Sequence, residues 1–269
     1  MRTLSTSLLL SMLCLNFAVA QHTEIYPDFK DYSKVGLCIS PVLYTAAKTT
    51  RDHGDYSLDN HATFNFNFGF DYLIHPERKL AFKTGLHLDM VPMYNINMTI
   101  KDGDLWTEGP YTDNITSKYK LNFTIPALIQ IKKQMAYNVY FSLDTGFHIM
   151  IMQEGGYDVN YIFTSPDGNE SREVFALYAN TNNPACVYPN AIISPGFYVA
   201  CYGMLIQGSI IYQKPLVPFF KGEYQFGNLL QSAPTRGDYS LSGQYLGLSF
   251  NIHLKKEKEY RNKIEQQYL

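Results

Sequence analysis

Side chains with catalytic potential recur at even spacing in this sequence: His87 and Asp89, then Ser142, Asp144 and His148. A hydroxyl nucleophile, an imidazole base and a carboxylate to orient it are the parts of a hydrolase triad. They work only within mutual hydrogen-bond reach of one another. Residues two apart share one face of a β-strand, so each group would project from a single surface. No nucleophile motif marks a serine, and no enzymatic activity is expected. A satisfied internal polar network suits the same spacing better. Its expected members are Asp71, Lys83, His87, Asp89, Lys120, Asp144, His148, Asn251 and His253, with Asp71 and Lys83 neutralising each other across neighbouring strands. The histidines are too dispersed for a metal site and no phosphate-binding loop occurs, so no cofactor is expected.

The elements that must position these groups are legible in residues 61–74, HATFNFNFGFDYLI. Phe64, Phe66, Phe68, Phe70 and Tyr72 alternate with Asn65, Asn67, Gly69 and Asp71. A strand turns the first set to one face and the second to the other. At helical spacing the phenylalanines would scatter around the circumference. Similar alternation predicts strands at 35–43, 80–94, 119–131, 137–151, 191–200, 204–212 and 246–254. The connections between the eight run long, short, long, short, long, short, long. That asymmetry is the signature of an outer-membrane barrel with both ends in the periplasm.

The chain of 269 residues has a formal net charge of -2, which gives no reason to expect nucleic acid as a partner;. Tyr is frequent, 22 residues, and charged residues make up only 17%, a bias that aromatic girdles at two membrane interfaces would produce;. Residues 1–20 read as a secretory signal, with Arg2, an apolar run and Ala18-Val19-Ala20 before the cleavage point;. Beyond it come a leader at 21–33, a barrel at 34–255 and a charged periplasmic tail at 256–269. After cleavage Cys38, Cys186 and Cys201 remain, an odd number without regular spacing, and no disulfide is expected.

Alternation alone does not separate a membrane barrel from a soluble one with its apolar face inward. Three features favour lipid outside. The alternating runs match the ~9–11 residues that cross a bilayer at a tilt. The apolar faces carry no Asp, Glu, Lys or Arg. Tyr72 and Tyr137 lie beside short turns, whereas Tyr94, Tyr119 and Tyr212 lie beside long loops, forming two girdles. The expected fold is therefore all-β, an eight-stranded antiparallel up-and-down transmembrane β-barrel in a bacterial outer membrane. Its lumen should be filled by side chains, because eight strands enclose little more. Pro41, Pro92, Pro126 and Pro195 each remove a ladder donor and should mark bulges or rim positions, with a local break in pairing at Pro126.

The segment Leu121-Asn122-Phe123-Thr124-Ile125-Pro126-Ala127-Leu128-Ile129 resembles the IPLLL strand of the PorT-like outer-membrane β-barrel family of Bacteroidetes-type bacteria. Ile210-Ile211-Tyr212-Gln213-Lys214 followed by Gly222-Glu223-Tyr224 is similar to that family's seventh strand and loop. Tyr239-Ser240-Leu241-Ser242-Gly243 leading to Tyr245-Leu246-Gly247-Leu248-Ser249 is similar to its closing strand. Ala127 and the Gln130-Ile131-Lys132 end depart from the commoner pattern. The resemblance implies an outer-membrane barrel, some of whose relatives are linked to type IX secretion and gliding, and it supplies no functional residue set.

The long loops hold Trp106, Tyr111, Tyr157, Tyr161, Phe163 and Tyr178 in polar surroundings. These are candidate contact residues for proteins or glycans. The competing reading is that they extend the barrel wall and pack on each other, since 157–163 itself alternates. Outer-membrane lipid and other envelope proteins are the expected partners. A narrow solute pore is the alternative to a closed lumen.

Overall fold

The computed structural model of the chain describes residues 27–116, 119–183, 185–201 and 203–256. The signal segment 1–20 and the tail beyond residue 256 lie outside them. A short 3-10 helix, Pro27–Asp31, precedes β1 (Val35–Tyr44), β2 (Lys48–His53), β3 (Asp59–Asn60), β4 (Thr63–Ile74), β5 (Leu80–Pro92), β6 (Ile96–Ile100), β7 (Tyr111–Ile115) and β8 (Tyr119–Ala136). The second half holds β9 (Val139–Ile151), β10 (Gly156–Thr164), β11 (Ser171–Thr181), β12 (Val187–Cys201), β13 (Met204–Pro215), β14 (Phe220–Phe226), β15 (Thr235–Leu241) and β16 (Tyr245–Leu254).

Eight of these strands close into an antiparallel barrel, each paired with its neighbour in the order β1, β4, β5, β8, β9, β12, β13, β16 and back to β1. They are the eight strands expected from the alternation. In β4 every aromatic of the 64–72 series faces out, with Phe64 57% and Phe70 59% exposed, while Asn65, Asn67 and Asp71 are buried. Leu37, Leu121, Phe123, Phe197, Leu248 and Phe250 continue the same belt around the wall. A continuous apolar belt of this extent is stable only against lipid.

Each of the three short turns carries one residue in the left-handed region: His75 (φ 54°), Asn138 (φ 61°) and Gly203 (φ 79°). That conformation helps the chain reverse within the two residues between β8 and β9 and between β12 and β13, and the five between β4 and β5;.

The prolines correct one expectation. No bulge forms at Pro41, Pro126 or Pro195. At Pro126 the β5–β8 ladder passes from Thr84–Ala127 to His87–Thr124, skipping two pairs without a change of register, while pairing with β9 runs on. Pro41 leaves the same two-pair gap against β16, and Pro195 against β13. A proline lacks the single N–H that one neighbour needs, so one ladder opens and the other holds. At two of the gaps hydroxyls bridge inside the wall, Ser40 to Ser249 and Ser194 to Ser209, both at 2.9 Å.

The remaining eight strands, which the sequence presents as loops, prolong the wall beyond the barrel. A five-stranded sheet ordered β10-β11-β14-β15-β2 stands over β9, β12, β13, β16 and β1, and a three-stranded sheet β3-β6-β7 stands over β4, β5 and β8. Their apolar side chains turn inward. Ile96, Met98, Ile100, Phe175, Leu177, Phe220, Tyr224, Phe226 and Tyr239 build a core above the barrel mouth. At the opposite end Phe29 of the 3-10 helix is buried edge-on against Tyr140 and Tyr198, with ring centroids 4.9 and 5.2 Å away. The Lys132 ammonium lies 4.0 Å from the centre of the Phe29 ring. Both described ends meet at this rim, where Tyr32 pairs with Lys255.

Candidate functional site

Alternation in the barrel strands sends the polar set inward, and the register sets its neighbours. Asp71 and Lys83 sit on adjacent strands and meet in the middle of the lumen, Lys83 Nζ lying 3.0 Å from Asp71 Oδ2 and 3.3 Å from Asp144 Oδ2. Lys83 also donates to Gln207 Oε1 at 3.3 Å. His87 Nε2 is 2.8 Å from Asp71 Oδ1. Gln130 donates to Asp144 Oδ1 at 2.8 Å and to Tyr198 Oη at 3.0 Å, and Gln207 donates to Asp144 Oδ2 and Ser142 Oγ. The amide orientation of Asn251 that satisfies both neighbours donates to Asp71 and accepts from Lys83 at 3.0 Å. Opposite charges this deeply buried hold only when their remaining lone pairs and protons are also matched.

Three expected members lie apart from this cluster. Asp89 accepts from Thr124 Oγ1 at 2.7 Å on the loop side of it, and His148 packs edge-on to His87 with ring centroids 5.6 Å apart. His253 lies toward the short-turn rim, its Nδ1 3.1 Å from Ser33 O. Lys120 is a correction. It is half-buried at the loop-end rim, where its ammonium donates to Gln153 O and lies 5.9 Å from the centre of the Phe220 ring. The alternation runs on through the start of β8, with Tyr119 and Leu121 outside and Lys120 and Asn122 inside, but Lys120 stands at the level of the upper core rather than in the lumen.

Gln130, Ser142, Tyr198 and Gln207 join the expected members in this network. Cys38 Sγ, an Asp71 oxygen and a His87 nitrogen all lie within 4.8 Å of one another, a donor set that could hold a cation. Lys83 already supplies positive charge at Asp71, and Cys38 contacts the hydroxyls of Ser40 and Ser249 at 3.6 Å. The lumen cavity beside them measures about 20 Å³, room for about one water molecule;. Above it Val42, Tyr44, Leu128, Ile192, Ile211 and Tyr245 close the mouth; below it Phe29, Tyr32, Tyr140, Tyr198 and Leu205 close the other end. Among the described residues, the Asp71–His87 pair thus lies between two apolar layers along the barrel axis.

Beyond the mouth, the six aromatic loop candidates divide. Tyr157 is buried in the upper core and donates to Met93 O at 2.6 Å, so it is no surface contact. Tyr111, Tyr161 and Phe163 pack on one another across the seam between β7 and β10, with the two hydroxyls hydrogen-bonded. Trp106 is half-buried beneath the Arg172 guanidinium, 4.9 Å away. Tyr178 alone of the six is exposed. Tyr94 leaves its expected girdle to pack on Tyr157, with ring centroids 5.4 Å apart. Wall extension, the competing reading of 157–163, is what the strands display.

Asp104, which nothing in its local sequence distinguishes, ties the two upper sheets together. It accepts from the amides of Gln231 and Ser232 at 2.9 and 2.7 Å, from Ser232 Oγ at 2.6 Å and from the Tyr56 hydroxyl. Burial alone would raise its carboxyl pKa. The donors from Ser232, Tyr56 and Gln231 overcome that and hold it below the usual carboxylate range. Burial and the hydrogen bond to Asp104 push the Tyr56 phenol up, and burial pushes Tyr239 up to about 12. At the distal tip a cavity of about 410 Å³ opens among His53, Glu173, Gln225, Asn228 and Arg236.

No protein-family model matches the chain, and no curated protein does. Among solved structures it is similar to the outer membrane protein OprG from Pseudomonas aeruginosa, at 9% identity and a TM-score of 0.40, over 85% of this chain and 100% of that one. It is also similar to the outer membrane protease OmpT from Escherichia coli, at 10% identity and a TM-score of 0.31, over 82% and 95% of the two chains. The lipid-facing assignment rests on this chain's own exterior.

Proposed function

We propose that this chain is an integral outer-membrane protein whose barrel is a sealed anchor, and that it acts through the structure it carries above the membrane. The observation behind this reading is the lumen. It is blocked at both ends by apolar side chains and crossed in the middle by the Asp71–Lys83–Asp144 network. A conducting barrel needs a continuous wet path, and a catalytic site needs access. The exposed surfaces are the outer face of the five-stranded sheet, with Tyr178, and the cavity at its tip. On this reading the short-turn end, with both described termini, faces the periplasm and the two upper sheets face outward.

Reconstitution into planar bilayers tests the sealed lumen. The expected result is no discrete conductance steps under conditions in which the protein is folded by gel mobility. Reproducible steps that track folded protein would overturn the reading and restore the pore. Membership of the PorT-like family, and with it a place beside a secretion assembly, is proposed on the strand motifs around Pro126, Tyr212 and Gly243 alone. Co-purification with a secretion component from native membranes is the measurement that bears on it.

A further inference from the structure

The level at which the wall leaves the membrane can be read from a reversal of its apolar face. On β13 and β16 the apolar side chains face out, as Ile210, Leu246 and Leu248 do. On β14 and β15, which prolong them, Phe220, Tyr224, Phe226, Tyr239 and Leu241 face in. The change falls within 215–219 on one connection and 242–244 on the other. At the first of these, Pro215-Leu216-Val217-Pro218, two apolar side chains stay outside after the reversal: Leu216 is 59% and Val217 37% exposed. Lys214 and Lys221 bracket them.

Lys221 pairs with Ser240, which pairs with Lys48, so the two lysines share one outer row, about 10 Å apart across two strand spacings;. All three lysines are exposed, and among the described residues none has an ion pair or hydrogen bond through its ammonium. The next row away from the membrane is acidic, with Glu223 opposite Asp238 and Tyr178 beside them. Like charges directly opposite each other are unfavourable, and they would repel an anion from that level down toward the lysines. The strands over the other half of the barrel, β3, β6 and β7, contain no lysine or arginine.

From this we infer that Lys48, Lys214 and Lys221 form a binding site for the phosphates of an anionic glycolipid in the outer leaflet, with Leu216 and Val217 seated among its acyl chains. The inference rests on the membrane reading above. The apolar pair is continuous with the lipid-facing belt, and the unpaired ammonium groups stand where headgroup phosphates lie.

The test uses the full chain folded in detergent micelles, with bound lipid counted by native mass spectrometry. The probes are a diphosphorylated acyl-glucosamine disaccharide, the same lipid without phosphates, and inorganic phosphate. Each lysine near an anionic surface is worth about a fivefold change in affinity, so the triple variant K48Q/K214Q/K221Q should bind the phosphorylated lipid on the order of a hundredfold more weakly at low salt. The corresponding triple arginine variant should retain binding, and the dephosphorylated lipid should bind all forms weakly.

Equal binding of the two lipids by the wild type, or unchanged binding by the triple glutamine variant, overturns the site. Competition by inorganic phosphate at the lipid's own concentration also overturns it, in favour of a free-anion site. Single glutamine variants, each expected to lose about fivefold, serve if the triple does not fold. Failure of the membrane reading would look different: wild-type protein would not insert into vesicles of any composition.

Discussion

Removing the ammonium from the centre of the lumen should be among the most damaging single changes available in the barrel. Lys83 has 5% of its side chain exposed, and the carboxylates it serves, Asp71 and Asp144, have 0% and 2%. Lys83→Met keeps most of the apolar stem and leaves two buried carboxylates facing each other without a cation. Breaking a buried ion pair from one side costs about 3–5 kcal/mol, because the partner charge stays desolvated. Asp71→Asn should cost less, about 1.5–3 kcal/mol, since Lys83 keeps Asp144 and Gln207;. The triple variant K83M/D71N/D144N removes all three charges and should recover most of the loss, to within about 2 kcal/mol of wild type. Urea-dependent unfolding in lipid vesicles, followed by far-UV circular dichroism, reads the barrel; Trp106 fluorescence reads the upper sheets separately. A Lys83→Met variant within about 1 kcal/mol of wild type, or a triple variant no better than the single, would refute the claim that this pair is a matched charge set.

The Asp104 tie should make the upper sheets acid-sensitive. Its carboxyl pKa is held down in the folded state. The stability it contributes is therefore present above the unfolded value, near pH ~3.9, and lost as pH falls through the lower folded value. Hydrogen-exchange protection at the Gln231 and Ser232 amides should collapse in that range. Asp104→Asn should lower it at neutral pH by about 1.5–3 kcal/mol; protection equal to wild type at pH 7 would show that the tie is idle. Phe29→Ala should cost about 3–5 kcal/mol of barrel stability by emptying the plug against Tyr140 and Tyr198;. It should still conduct no ions, because the Lys83 layer lies above it; conductance in this variant alone would make the 3-10 helix the only seal.

The barrel strands were legible because lipid imposes one rule on all of them. A side chain such as Phe68 or Leu248 must be apolar, and the residue beside it need not be, so period two stands clear of its surroundings. The upper strands obey the opposite rule. In β15, Thr235, Gly237, Tyr239 and Leu241 alternate inward, and a few residues later the apolar positions switch to the other face at Leu246 and Leu248. Along the sequence, that change of phase looks like the end of a strand, and the stretch on its far side looks like a loop. The chain in fact continues as wall, but water has replaced lipid outside and an apolar core has replaced the polar lumen inside. Lys120 departs from the expected network for another reason: its parity is the inner one, but β8 begins above the lumen, so the side chain meets Gln153 and Phe220 at the rim instead of the buried charges. Asp104 was invisible on different grounds. Its partners Ser232 and Tyr56 lie 128 and 48 residues away, and a carboxylate that bonds loop amides at that distance has no local period to betray it. Asp71 and Lys83 could be paired from the sequence because strand register fixes neighbours at a known offset, and register is the one long-range relation that alternation encodes; Asp144 reaches Lys83 from β9, across the intervening β8, through the closure of the barrel, which no period in the sequence records.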